Sequence, residues 1–319
     1  MSLPPLCRPI QFHPPWPSDP AQAEAVLSVA GIECRFGAGL LDFASPEPAT
    51  GPRPTATSTA AQAPVAAGAT PLALESQALP AYAGEGWLGD RLRAFRVYPD
   101  GDGRRVEFGA GMVFRISGDG CRIDCLSVPS DAKLLSEWLL GPALLLALAA
   151  RRIYALHASA ISRRAGAVLL LGRSGSGKST LARVAAACGW AALADDVVPL
   201  ALTGGVLRVR PRFPQLKWAE PLATADCELP LAALVFVERG NARLALTPLP
   251  ASIATRNLVR DTVAARLFAP TELGDHLGFC ARLAEAGPCL RLDLPEVTAD
   301  RVEATAGAAL DLISRRLAV

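Results

Sequence analysis

The stretch GRSGSGKST, residues 172–180, has the residue types and spacing that most directly predict chemistry. It fits the pattern G-x-x-x-x-G-K-[ST], and it lies between an apolar run at 167–171 and a helix-like run at 181–188. Glycine permits positive φ and lets a ligand approach the backbone closely, and main-chain N–H groups at the start of a helix bind phosphate. The stretch therefore predicts a loop that binds the phosphates of a nucleotide. The alternative is a turn of small residues with a coincidental lysine.

The side chains of this loop have separate expected roles. Lys178 would supply a positive charge to the terminal phosphates, and Ser179 would offer its hydroxyl to Mg²⁺. The residues expected to bind the nucleotide are Gly172, Arg173, Ser174, Gly175, Ser176, Gly177, Lys178, Ser179 and Thr180.

Two adjacent carboxylates, Asp195 and Asp196, end the apolar run that follows the helix-like segment, seventeen residues after Lys178. One helix and one strand fit that gap, so the pair is expected beside the loop. Phosphoryl transfer needs a carboxylate near the metal and another near the attacking hydroxyl. The pair is therefore a candidate catalytic site, and a solvated turn at a strand end is the alternative.

A histidine, His157, ends the predicted strand that immediately precedes the strand of the loop. A single histidine is more often structural than catalytic. The other two histidines, His13 and His276, lie in the proline-rich start and in a predicted helix or loop. His157 is thus a candidate because of its position.

The elements that must position these residues are predicted strands and helices in alternation. Four short runs within 87–128 alternate between apolar and polar residues, and three of them end in Gly or Asp-Gly, which predicts antiparallel hairpins. The run from 134 to 150 predicts a buried helix that starts at Gly141-Pro142. Further strands are predicted at 153–161, 167–171, 191–202, 206–213, 232–239 and 289–294, and further helices within 250–286 and at the C-terminal end.

Three parts of the chain differ in composition. Residues 1–44 form an N-terminal segment with short apolar runs, and residues 45–82 are rich in Pro, Ala and Thr with few charges. Such a composition cannot bury enough apolar surface to offset its ordering entropy, so 45–82 is predicted to be a disordered linker. Residues 85–319 are predicted to form one domain that includes the hairpin region.

The residues from Ile153 to Leu200, with the leading helix, resemble the C-terminal kinase domain of the HPr kinase/phosphorylase superfamily. The shared features are the histidine strand with LHASA, the loop GRSGSGKST and the pair in ALADD. The resemblance is close over 134–202 and loose over about 85–300. It implies an α/β P-loop kinase domain of the HPr kinase and phosphoenolpyruvate-carboxykinase type, with a mixed sheet, flanking helices and a small antiparallel β region before it.

The resemblance also implies a chemistry. ATP and Mg²⁺ would be bound, and a serine hydroxyl would be the acceptor. One aspartate would take the acceptor proton and the other would help to hold the metal; we favour Asp196 as the base and Asp195, with Ser179, as the metal ligand. His157 would line the acceptor or phosphate site. A further cation is expected from Arg212 or Lys217, with a solvated strand end as the alternative for each.

One feature of the bifunctional HPr enzymes has no counterpart in the sequence. Those enzymes have a later glycine-containing signature with an arginine and a glutamate, which is not found here. The resemblance therefore does not extend to phosphorolysis of phosphoserine or to hexamer assembly.

Composition excludes several other classes of protein. The chain of 319 residues is 51% apolar and 19% charged with a net charge of +2, which predicts neither a nucleic-acid surface nor a membrane surface. The apolar run at 138–150 is too short to span a membrane. Eight scattered cysteines without zinc-site spacing, and no secretory signal, predict reduced thiols in the cytoplasm.

Three functions are compatible with these features. The first is an ATP-dependent kinase that phosphorylates a serine of a peptide or small protein. The second is a kinase with a sugar or metabolite as acceptor. The third is a regulatory module that binds the nucleotide without transfer, and assembly into a homo-oligomer is left open for each.

Overall fold

The computed structural model describes residues 25–29, 32–36, 80–88, 91–109, 111–127, 135, 137–164, 166–210 and 228–317. These residues form a mixed α/β structure with two sheets and flanking helices. The linker predicted at 45–82 lies outside the described residues, apart from its last three. Within the described part of the chain, no helix is both long and apolar enough to cross a lipid bilayer.

The first sheet has seven strands and contains the predicted hairpins. Its spatial order is β1-β2-β7-β6-β5-β4-β3. Strands β3 to β7 pair antiparallel in consecutive order, whereas β2 pairs parallel with β7, so the sheet joins residues on both sides of the predicted linker. The strands are β1 Ala25–Val29, β2 Ile32–Phe36, β3 Tyr82–Leu88, β4 Arg91–Asp100, β5 Gly103–Phe108, β6 Met112–Ile116 and β7 Arg122–Ser127.

The predicted buried helix packs between this sheet and the rest of the chain. Its regular part is α1, Leu144–Ala150, and a π-helical turn, Leu139–Ala143, precedes it. Gly141 within the turn has φ −92° and ψ −107°, because proline disfavours the helical conformation for the residue before it. Helical residues lie on both sides of Gly141, so Gly141-Pro142 marks a kink within the helical segment and not, as the sequence predicts, its start. The Trp138 ring contacts the Phe108 ring of β5 at a centroid distance of 4.2 Å.

The second sheet has nine strands of mixed direction and holds the residues predicted to do chemistry. Seven strands follow the order β11-β9-β10-β14-β13-β12-β8, and β16 and β15 extend the sheet beyond β14. The strands are β8 Tyr154–Leu156, β9 Ala158–Arg163, β10 Gly166–Leu171, β11 Ala191–Ala194, β12 Val198–Thr203, β13 Val206–Val209, β14 Leu229–Asn241, β15 Ala245–Pro248 and β16 Cys289–Pro295. The helices are α2 Lys178–Ala185, α3 Ala251–Asp261, α4 Pro270–Glu285 and α5 Val302–Leu317.

Strand β10 is buried on both faces, which explains its continuous apolar sequence. Val168 and Leu170 belong to the core that contains α2 and α5, whereas Leu169 and Leu171 belong to the core that contains α1, α3 and α4. The larger core also takes in the buried face of the first sheet. Side chains that alternate along one strand thus hold helices on opposite faces of the sheet.

Polar contacts also connect the first sheet to the helices. Arg104 on β5 forms an ion pair with Glu272 on α4, with one N–O distance of 2.8 Å, and both side chains are largely buried. The hydroxyl of Tyr82 donates to the carbonyl of Leu267.

One edge of the second sheet collects several strand ends. Strands β10, β14 and β16 run parallel, and β11 runs in the same direction because β9 pairs antiparallel with both β10 and β11. The carboxyl ends of β10, β11, β14 and β16, and the start of β9, therefore lie at the same edge, which is called the collecting edge below.

Two strands that the sequence predicts as continuous are each broken. The predicted strand 153–161 divides at His157 into β8 and β9, and the predicted strand 191–202 divides at 195–197 into β11 and β12. The breaks face each other, because β8 pairs with β12 whereas β9 pairs with β11. Asp196 has a φ of 79°, a left-handed conformation that extended strand cannot accommodate.

Candidate functional site

The loop of residues 172–177, called the glycine loop below, connects β10 to α2 at the collecting edge. Gly172 has a φ of 141°, and a Cβ atom there would lie 2.4 Å from the carbonyl oxygen of Val237 on β14. Gly177 caps α2 with a φ of 108°. Glycine is required at both positions, since a side chain would clash at the first and strain the backbone at the second.

Lys178, the first residue of α2, is folded back over the glycine loop. Its ammonium group donates to the carbonyl oxygens of Gly172 at 2.7 Å and Arg173 at 3.2 Å. Its Nζ also lies 3.4 Å from Nε2 of His157. The residue is only 6% exposed, so its charge lies at the mouth of the loop and is largely shielded from solvent.

Asp195 lies directly beside the start of α2. Its Oδ1 accepts a hydrogen bond from the Ser179 hydroxyl at 3.0 Å and another from the Ser159 hydroxyl on β9. Asp195 is 6% exposed and Ser159 is fully buried. The carboxylate is therefore oriented by two hydroxyl donors on different elements.

Asp196 faces the histidine at the opposite strand break. Nδ1 of His157 lies 3.2 Å from Oδ1 of Asp196 and 3.1 Å from its carbonyl oxygen. Donation from Nδ1 to Asp196 leaves Nε2 as an acceptor toward the Lys178 ammonium group. His157 is also fixed through its backbone, because its N–H donates to the carbonyl of Asp261 at 2.7 Å.

These contacts bring together the residues that the sequence singles out. Lys178, Ser179, Asp195, Asp196 and His157 form one connected group. Of the remaining loop residues, Arg173, Ser174 and Gly175 are exposed, Ser176 is buried and Thr180 is half-buried. Arg212 and Lys217, the candidates for a further cation, lie outside the described residues.

Ser159 is a site residue that the sequence analysis missed. Its signal was available, because it is a polar residue among the apolar residues Ala158, Ala160 and Ile161, two positions after His157. Residues two apart on a strand point to the same face, so a serine there would lie beside the histidine.

The oxygen atoms near Ser179 match the ligand preference of Mg²⁺. The Ser179 hydroxyl and the Asp195 carboxylate are hard oxygen donors within 3.0 Å of each other. Mg²⁺ in phosphoryl-transfer enzymes is bound through one or two carboxylates together with substrate phosphates. No group of three or more His, Cys, Asp or Glu residues suited to a metal occurs among the described residues.

Comparisons with known proteins give limited similarity. No family model and no curated protein matches the chain. Among solved structures, the chain is similar to the Hpr(Ser) kinase/phosphatase from Coxiella burnetii, with 10% identity and a TM-score of 0.27 over 51% of this chain and 92% of that chain. These values do not assign the chain to that family, so the case for a function rests on the geometry of the site.

Proposed function

We propose that the protein is an ATP-dependent kinase of the HPr-kinase type, which transfers the γ-phosphoryl group to a serine hydroxyl of a peptide or small protein. The observation behind this proposal is the connected group at the sheet edge. Ser179 bonds Asp195 at 3.0 Å, and His157 stands between Lys178 and Asp196. A protein that only holds a nucleotide needs the glycine loop but not the acid pair and the histidine.

Binding of ATP uses the loop and its lysine. Main-chain N–H groups of the glycine loop and of the first turn of α2 would bind the phosphates. The Lys178 ammonium group, which bonds two loop carbonyls, would turn to the terminal phosphates and neutralise their charge. Ser179 and Asp195 would hold Mg²⁺, which neutralises charge on the β- and γ-phosphates when bound.

Transfer itself requires a base and an aligned acceptor. The acceptor oxygen attacks the γ-phosphorus, the bond from that phosphorus to the β–γ bridging oxygen breaks, and ADP leaves. Asp196 accepts the proton of the acceptor hydroxyl. His157 fixes the direction of the Asp196 carboxylate by donating from Nδ1, and it couples that carboxylate to the Lys178 charge through Nε2.

The test is transfer of label from ATP labelled at the γ-phosphate. The purified full chain is incubated with Mg²⁺ and three kinds of acceptor, namely serine-containing peptides or small proteins, the same peptides with serine replaced by alanine, and small metabolites. Label on the serine peptides alone is the expected result. Label on metabolites alone would make the protein a small-molecule kinase, and tight ATP binding without transfer would make it a binding module.

Two variants show whether the label depends on the proposed site. We expect Lys178→Ala to abolish transfer, because it removes the charge that neutralises the terminal phosphates. Arg183→Ala is the matched control, since Arg183 is an exposed cation on the same helix. Transfer that survives in Lys178→Ala would place the activity elsewhere in the molecule.

A further inference from the structure

A partly open pocket lies next to the glycine loop, on the side away from the acid pair. It is bounded by the start of α2, the carboxyl ends of β14 and β16, the loop after β16 and the first turns of α5. Its lining residues are Ser176, Gly177, Thr180, Leu181, Arg239, Leu294, Pro295, Val297, Val302, Thr305 and Ala306.

The chemistry of the lining is mostly apolar with a few polar groups. Leu181, Leu294, Val297, Val302 and Ala306 supply aliphatic walls. The hydroxyls of Thr180 and Thr305 and the guanidinium of Arg239 supply hydrogen-bond donors. Such a combination is typical of small-molecule pockets, and it suits a flat heterocycle whose faces meet apolar walls while polar groups meet its edge.

One polar group of the lining is buried without a partner. Ser176 is 6% exposed, and its hydroxyl has no hydrogen-bond partner among the described residues. A buried hydroxyl without a partner is costly, which is consistent with a place for a polar ligand at this point of the loop.

The order of the strands separates the pocket from the catalytic groups. Strands β9 and β11, which adjoin His157 and Asp195, lie on one side of β10. Strands β14 and β16, which border the pocket, lie on the other side. A nucleotide that presented its terminal phosphate to the acid pair would extend away from that pair, past Thr180 toward the pocket.

We propose that this pocket binds the nucleoside of the donor, its base and ribose, so that the nucleotide lies across the glycine loop from the pocket to the acid pair. This inference rests on the proposed kinase function. It assigns the acceptor to the opposite side, because the acceptor hydroxyl must reach Asp196. Arg239, at the carboxyl end of β14, would contact the base or its ribose at the pocket mouth.

The experiment measures how much the nucleoside contributes to binding, apart from the phosphates. Binding of a non-hydrolysable ATP analogue and of inorganic tripolyphosphate is measured by calorimetry for the full chain. Thr305→Trp and Val297→Trp each fill the pocket from a different element, and Ala308→Trp adds the same bulk at an exposed position of α5. We expect either pocket variant to lower the affinity for the ATP analogue by about tenfold or more, and to leave the affinity for tripolyphosphate unchanged. Ala308→Trp should bind both ligands like the unmodified chain.

A second measurement needs no variant. Photolabelling of the unmodified chain with 8-azido-ATP should place the label in peptides from the region 294–306. Label concentrated instead around His157 or α3 would overturn the inference. So would pocket variants that bind the ATP analogue normally, or that lose the analogue and tripolyphosphate equally.

The outcomes also distinguish this inference from the function on which it rests. If tripolyphosphate binding requires Lys178 and the pocket variants bind the ATP analogue normally, the results support the proposed kinase function and contradict the nucleoside pocket. If the unmodified chain binds neither ligand, both the kinase function and the nucleoside pocket are contradicted.

Discussion

Two histidines on either side of the end of α3 have opposite surroundings. His157 has a half-exposed side chain and lies between Lys178 and Asp196. His276 is 2% exposed, and the centroid of its ring lies 5.1 Å from the centroid of the Tyr154 ring and 5.5 Å from that of the Phe268 ring. The two are connected through consecutive residues, since Asp261 accepts from the backbone of His157 and the Thr262 hydroxyl lies 2.7 Å from Nε2 of His276.

The difference shows how the same side chain acquires different roles. Around His157, charged groups with fixed directions can bind and move protons. Around His276, aromatic rings remove water, and burial lowers the pKa of the imidazole, so that the neutral form is favoured. We therefore expect substitutions in the His157 region to change catalysis and substitutions in the His276 region to change stability.

Among the substitutions that test this comparison, the largest expected effect is that of Asp196→Asn. The change removes the base, but asparagine tolerates the left-handed φ of 79° and can still accept from His157. We expect transfer to fall about 10²- to 10⁴-fold while ATP binding stays nearly unchanged. Steady-state transfer and calorimetric binding measure the two quantities.

Asp311→Asn, at an exposed position of α5, is the control for this substitution. It should behave like the unmodified chain in both measurements. Turnover close to normal in Asp196→Asn would move the role of base to Asp195.

The part of the site that the sequence could predict is the local part. The glycine pattern of residues 172–180 and the short gap from Lys178 to Asp195 fix the loop and the acid pair within one strand-helix-strand unit. The strand breaks at His157 and 195–197 were missed, because each run is mostly apolar and can be read as one strand, and only the pairing partners divide it. The pocket beside the loop was missed as well, since its far wall comes from β16 and α5, more than a hundred residues later.

The second prediction compares alanine substitutions of the two histidines. His276→Ala leaves a cavity among aromatic rings, so the free energy of unfolding should fall by about 3 kcal/mol while transfer at low temperature is retained. His157→Ala should lower the transfer rate with little change in ATP affinity or melting temperature. Thermal unfolding and transfer assays on both variants check the contrast, and equal effects on both quantities in both variants would remove it.

The pH dependence of stability sharpens the same contrast. Because burial lowers the pKa of His276, the unfolded chain binds a proton near pH 6.5 that the folded chain does not bind. Its contribution to stability is complete above about pH 6.5 and is lost as the pH falls below that value toward the folded-state pKa. We expect His276→Phe, which keeps an aromatic ring, to flatten the fall in melting temperature between about pH 7 and about pH 5. An unchanged slope would show that other groups cause the fall.

The smallest expected effect is that of Ser159→Ala, and it concerns the orientation of Asp195. The Ser159 hydroxyl donates to Oδ1, and the Ser179 hydroxyl, which also donates to it, remains in the variant. Loss of one hydrogen bond costs about 1 kcal/mol of stability. Since the carboxylate then lacks one of the hydrogen bonds that orient it, a higher Mg²⁺ concentration should be needed for half-maximal transfer.

The Mg²⁺ dependence distinguishes positioning from packing. Ser162→Ala is the matched control, because Ser162 is a buried serine on the same strand and lies away from the collecting edge. If both serine variants lose stability but only Ser159→Ala needs more Mg²⁺, then Ser159 acts on the site through Asp195. If both need the same Mg²⁺ concentration as the unmodified chain, the hydroxyl of Ser159 belongs with the packing of the core, as His276 does.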